Sequence, residues 1–84
     1  MTNDHSQLLL HRIDPQKNMR RYYAMTVQPN LFGGSSLMRS WGRIGNRGQL
    51  KVDLFDDEAA ALRARDRLIR IKQRRGYVAQ EAFN

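Results

Sequence analysis

The hydrophobic pattern of the chain changes period once. Up to residue 55, apolar positions come in short runs or alternate with polar ones; from 56 to 75 they recur every three or four residues. The first regime predicts four strands. "LLLHRI", residues 8–13, is the first, and Asp14-Pro15 opens a turn over 14–18. "RRYYAMTV", residues 20–27, is the second, rich in aromatic and β-branched types. Its alternation sets Tyr23, Met25 and Val27 on one face and Tyr22, Ala24 and Thr26 on the other. A loop over 28–36, with Gly33-Gly34 at its tip, leads to the third strand, "LMRSWGRI", residues 37–44. "GNRG", residues 45–48, is a hairpin turn in which Gly45, Asn46 and Gly48 suit positive φ. "QLKVDLF", residues 49–55, returns as the fourth strand, with Leu50, Val52 and Leu54 on one face.

The second regime predicts one long helix over 56–75, rich in the strong helix formers Ala, Leu and Arg and with no Gly or Pro. Asp56 suits the N-cap, Asp57 and Glu58 the positive end of the helix dipole, Arg74 and Arg75 its negative end, and Gly76 the position just past the C-cap. Ala61, Ala64, Leu68 and Ile71 form a core-facing stripe that Leu62 and Ile69 widen. A short last strand is expected within 77–83, strongest at Tyr77 and Val78. The expected fold is α+β: a single twisted antiparallel sheet of four to five strands with one long helix packed on one face. Residues 1–7 are expected to be a disordered tail and 8–84 the domain.

Length and composition narrow the chemistry. The chain has 84 residues, enough for one domain but not for a deep, water-excluded catalytic cleft. It contains no cysteine, and its two histidines, His5 and His11, are not spaced as metal ligands, so neither a metal nor another cofactor is expected. Nothing resembles a membrane span or a signal peptide, which points to the cytoplasm. Charge is more telling. Fifteen Lys and Arg oppose eight Asp and Glu, a formal +7, and twelve of the fifteen are arginine. A surface this basic attracts polyanions, and the planar guanidinium favours phosphate.

The arginines fall into two groups. Arg63, Arg67, Arg70 and Arg74 share the helix face opposite the apolar stripe. As a run of one sign this is either a solvated outer face or a polyanion contact. In the third strand Arg39, Trp41 and Arg43 point one way, so the one tryptophan of the chain sits in file between two arginines, with Arg47 in the following turn. An aromatic plate flanked by guanidinium groups can stack on a base or sugar while the arginines meet phosphate. The alternative is a core tryptophan with arginines lying over its ring. Gly42 beside it marks close approach, either of a ligand or of another backbone.

"WGRIG", Trp41 to Gly45, resembles the signature of the WGR domain, and the likeness extends to "RRYYAMTV", to "GNRGQ", to the acidic helix start and to Gly76-Tyr77. It covers about residues 8–80. The resemblance implies an antiparallel sheet with one packed helix. WGR domains occur in poly(ADP-ribose) polymerases, where they help bind DNA strand breaks, and in bacterial proteins of mostly unassigned function. In the polymerases the signature Trp packs against the sugar at the DNA end, a role that falls here to Trp41. The signature Arg serves contacts between domains; in this chain the corresponding Arg43 is assigned to phosphate or to a separate protein partner.

The leading expectation is a nucleic-acid-binding module for DNA, contacting backbone and ends or breaks without base specificity. The residues expected to bind are Arg39, Trp41, Gly42, Arg43, Arg47, Arg63, Arg67, Arg70 and Arg74. A protein-interaction module docking on a separate enzyme through the Trp41/Arg43 face is the competing expectation. An enzyme is not expected: the sequence offers no Ser/His/Asp set, metal cluster or phosphate-cradling loop, hence no catalytic residue and no small-molecule substrate. DNA and RNA are not distinguished by the residues themselves.

Overall fold

Strand β2, Met19–Pro29, is the spine of the molecule. Tyr23, Met25 and Val27 are buried on one side of it, while Tyr22, Ala24 and Thr26 on the other are only half covered. The computed structural model describes residues 7–80. The expected tail over 1–7 therefore falls almost wholly outside the described residues, as do positions 81–83 of the expected last strand.

Around β2 lie β1 (Leu8–Asp14), β3 (Ser35–Arg43), β4 (Gln49–Phe55) and β5 (Val78–Gln80), in the spatial order β4-β3-β2-β1-β5. Every neighbouring pair is antiparallel. Helix α1, Glu58–Arg74, crosses one face. This is the expected α+β architecture. Opposite residues in an antiparallel ladder share a face, so Leu10, Tyr23 and Trp41 line up across three strands, as do Leu8, Met25 and Arg39. The core is Leu10, Tyr23, Met25, Val27 and Leu37 from the sheet and Ala61 from the helix, with Leu8, Trp41, Phe55, Leu62, Ala64, Leu68, Ile69 and Tyr77 packed around it. Ile71, expected in the core stripe, is half-buried and stands outside that group.

Element ends differ from expectation for local reasons. The loop expected over 28–36 shrinks, because Gln28 and Pro29 pair with Ser36 and Ser35. The Asn30 side chain closes what remains, accepting from the backbone N–H of Phe32 (2.8 Å) and of Gly34 (3.1 Å). The N-cap is Asp57 rather than Asp56: Asp57 is extended and its carboxylate accepts from Ala60 N at 2.8 Å. In the β3–β4 turn only Gly45 takes positive φ.

The second face of the sheet carries no helix. Leu9, Ile13, Leu50, Val52, Leu54 and Val78 are exposed there. In β4 the polarity is inverted: Gln49, Lys51 and Asp53 share the face of the core, and the three aliphatic residues look outward.

Candidate nucleic-acid interface

The C-terminal end of α1 and the last turn of β3 meet over a small aromatic cluster. The β2–β3 register sets Trp41 opposite Tyr23, and the two rings stack with centroids 5.6 Å apart and planes 13° apart. Tyr77 meets Tyr23 edge-on, at 6.4 Å and 80°. Tyr77 is delivered by the way the helix ends. Arg75 caps it, Gly76 turns left-handed at φ +99°, Gly76 N donates to Gln73 O at 3.1 Å, and Tyr77 N donates to Lys72 O at 3.0 Å. This paired closure needs a residue that tolerates positive φ after the cap, and glycine supplies it. The same closure holds Lys72 under the aromatic residues. Its Nζ lies 4.5 Å from the Tyr23 ring centre and 5.6 Å from that of Tyr77.

These elements frame an open cleft of about 520 Å³, lined by Arg21, Tyr23, Trp41, Gly42, Arg43, Gln49, Lys72 and Tyr77. Its lining holds three cations, three aromatic rings and no carboxylate. A second cavity of about 240 Å³, beneath Phe32 and Leu54, has Asp56 as its charged group and so repels anions.

The charges of the cleft are not balanced internally. Burial, and then the neighbouring charges of Arg75 and Arg39, push the Lys72 amine below its ordinary value. The two ring faces act in the opposite sense, favouring the ammonium form. Arg39 is in the reverse situation. Burial disfavours its charge, but its bond to the Tyr23 hydroxyl and its pairing with Asp53 prevail, and its pKa is raised. An anion entering the cleft therefore relieves repulsion at Lys72, whereas Arg39 already has its counterion.

Of the residues expected from sequence, Trp41, Gly42 and Arg43 line this cleft. Trp41 is half-buried, one ring face committed to Tyr23. Arg39 lies against it, Cζ 5.8 Å from the ring centre, but its Nε donates to Asp53 at 2.9 Å and its Nη1 to Tyr23 Oη at 3.0 Å. Arg43 is exposed, and its guanidinium donates to the Asn18 carbonyl (3.1 Å) and side chain (3.3 Å). Asn18 itself is left-handed, at φ 53°. Gly42 has a specific reason: a Cβ there would stand 2.8 Å from Gly48 Cα, and one on Gly48 would strike the Trp41 carbonyl and the Tyr22 hydroxyl. The close approach is thus by the chain's own backbone across the hairpin. Arg47 is exposed in the turn. Arg63, Arg67, Arg70 and Arg74 are exposed on α1 and are not part of the cleft lining.

Sequence reasoning missed Arg21, Gln49 and Lys72, and did not assign Tyr23 and Tyr77 to a site. The signal for Lys72 was present: it falls four residues after Leu68, at the end of the apolar stripe, where a charge is out of pattern. Arg21 was equally legible, two residues before Tyr23 on the same strand face.

Among the described residues no helix is long and apolar enough to cross a membrane, and no three His, Cys, Asp or Glu side chains come together to hold a metal. No solved structure matches the chain. Two bacterial proteins do. The uncharacterized protein y4dW of Sinorhizobium fredii is 51% identical over 71 residues, covering 84% of this chain and 35% of its own length. Protein YehF of Escherichia coli is 43% identical over 51 residues, covering 61% of this chain and 19% of its own length. The chain thus spans about a third and a fifth of these relatives, respectively. The WGR domain pattern matches residues 6–84, and with the tryptophan, glycine and arginine of its name lining one cleft, the chain belongs to the WGR domain family, which is associated with nucleic-acid binding.

Proposed function

We propose that this domain binds DNA through the Trp41 cleft, contacting the sugar-phosphate chain at ends or breaks without reading base sequence. The observation that carries the reading is a cleft with three aromatic rings, three cations and no acid in its lining. Phosphate attracts the guanidinium groups of Arg21 and Arg43 and the Lys72 ammonium, while the exposed part of Trp41 offers an apolar plate to a sugar or an unstacked base. An unstacked nucleotide is available at a break and not within an intact duplex, which is why the plate favours ends.

Roles within the site then divide by partner. Arg39, held by Asp53 and Tyr23, positions Trp41 and contributes little to phosphate. Gly42 is required by the hairpin, where a Cβ would meet Gly48, and it leaves this part of the cleft wall bare of side chain. Arg47 and the α1 arginines add a general attraction to polyanions.

The test is a fluorescence titration of a labelled nicked DNA hairpin, with an intact DNA hairpin and an RNA hairpin as controls, at two salt concentrations. Selective binding to the nicked DNA is expected, with Lys72→Met and Arg21→Ala each weakening it about tenfold and lowering the log–log salt slope by about 1. Equal binding to all three ligands, unchanged in both variants, refutes the assignment. A partner that co-purifies after nuclease treatment and is lost in the Arg43→Ala variant favours a protein-docking role for this face.

A further inference from the structure

Among the described residues, strand β4 is an open sheet edge. It lies first in the order β4-β3-β2-β1-β5, and it pairs with β3 in unbroken register over its full seven residues. Among the described residues, no backbone hydrogen bond from outside the sheet reaches it. It contains no proline and no bulge; its blunting device is the pair of charges on its core side, Lys51 and Asp53, which only a partner strand of matching charge order can satisfy. The opposite edge, β5, is described over three residues, Val78–Gln80.

The sequence of β4 is also self-complementary. In "QLKVDLF", Val52 is the centre, Leu50 and Leu54 are equidistant from it, and Lys51 and Asp53 flank it with opposite charge. An antiparallel copy centred on Val52 places Leu50 against Leu54, Val52 against Val52, and Lys51 against Asp53, twice over. All of these are favourable cross-strand pairs. The outward aliphatic residues are 63%, 46% and 66% exposed for Leu50, Val52 and Leu54, so each has surface to bury in such pairs.

We infer that a second copy of this chain adds to the β4 edge, making a continuous ten-stranded sheet about a two-fold axis at Val52. Facing residues of an antiparallel pair share a side, so both helices and both Trp41 clefts lie on one side of the joined sheet. The two Gln49 residues, one at each cleft, stand roughly 20 Å apart along the strands. A single strand pair buries less than a standard interface, so association is weak, with a Kd on the order of 100 µM. Each copy carries +7, so screening by salt strengthens the dimer while it weakens polyanion binding. The inference is independent of the ligand proposed for the cleft.

The experiment is sedimentation velocity without nucleic acid, from about 10 µM to about 1 mM, at low and high salt. A concentration-dependent dimer that grows with salt is expected. Lys51→Asp places carboxylates at both 51 and 53 of each copy and weakens self-association at least tenfold. Asp53→Lys does the same with two cations, and an equimolar mixture of the two variants restores dimer. Thermal melting followed by circular dichroism checks that each variant is folded. Should Asp53→Lys unfold for want of the Arg39 partner, the swapped chain Lys51→Asp/Asp53→Lys replaces the mixture: its new carboxylate at position 51 faces Arg39 across the ladder, and it dimerises as the wild type does. A monomer at every concentration, or a dimer that Lys51→Asp leaves intact, overturns the inference.

Discussion

The domain carries two positive surfaces that differ in everything except sign. On the outside of α1, Arg63, Arg67, Arg70 and Arg74 stand exposed. At the end of the same helix, Lys72 lies over two tyrosine rings and shares a cleft with Arg21, Arg43 and Trp41. The first surface is charge in high dielectric, screened by salt and free to follow any polyanion. The second is charge fixed against aromatic planes, with its repulsion left unanswered. Net charge accounts for a general attraction to polyanions; the proposed preference for one ligand shape needs the organised cleft.

The largest expected effect breaks the organised region at its backbone. Gly48→Ala drives a methyl into the Trp41 carbonyl, so the hairpin must shift. We expect a loss of about 2–3 kcal/mol, a Tm fall of roughly 10–20 °C, measured by calorimetry. Trp41→Ala comes next. Removing the plate should reduce affinity for nicked DNA by about 10–100-fold, the range for one aromatic-stacked base, while affinity for intact duplex changes far less. Fluorescence anisotropy reads both.

A smaller effect sharpens the comparison from the other side. Changing any one of Arg63, Arg67, Arg70 or Arg74 to Gln should weaken every nucleic acid alike, by about two- to threefold, leaving the ratio of nicked to intact DNA unchanged. A change in that ratio would move the selective site onto the helix.

The smallest effect concerns protons. The Lys72 pKa is lowered in the folded chain, chiefly by burial, so the unfolded chain holds this proton more firmly. Stability from this group therefore rises as pH climbs through the depressed value and levels off above the ordinary 10.5. In Lys72→Met that alkaline gain should vanish from a stability-versus-pH profile. Bound phosphate should raise the Lys72 pKa, which nitrogen NMR of the amine can follow.

How much of this was legible beforehand depends on whether a feature is local. The strands and the helix follow from period, and the face carrying Tyr23, Met25 and Val27 follows from alternation, because each signal lies within a few residues. Trp41 and Arg43 stood out by their spacing in one strand. What alternation does not give is the partner across the ladder. Asp53 lies opposite Leu37, close enough to take Arg39, and that pairing occupies a residue that looks free in sequence and was expected to meet phosphate. The outward turn of Leu50, Val52 and Leu54 is likewise invisible in β4 alone: its period is clear, but the face it buries depends on β3. Lys72 and Tyr77 become neighbours of Tyr23 only once the helix ends at Arg74 and the chain turns back through Gly76.

The central claim is that selectivity resides in the cleft and not on the helix. The direct measurement is a titration of amide and indole NMR signals with nicked DNA hairpin at physiological salt. The account predicts shifts concentrated at Arg21, Tyr23, Trp41, Arg43, Lys72 and Tyr77, with the Trp41 indole among the most affected. Shifts spread along Arg63, Arg67, Arg70 and Arg74, with the cleft signals unmoved, would contradict it.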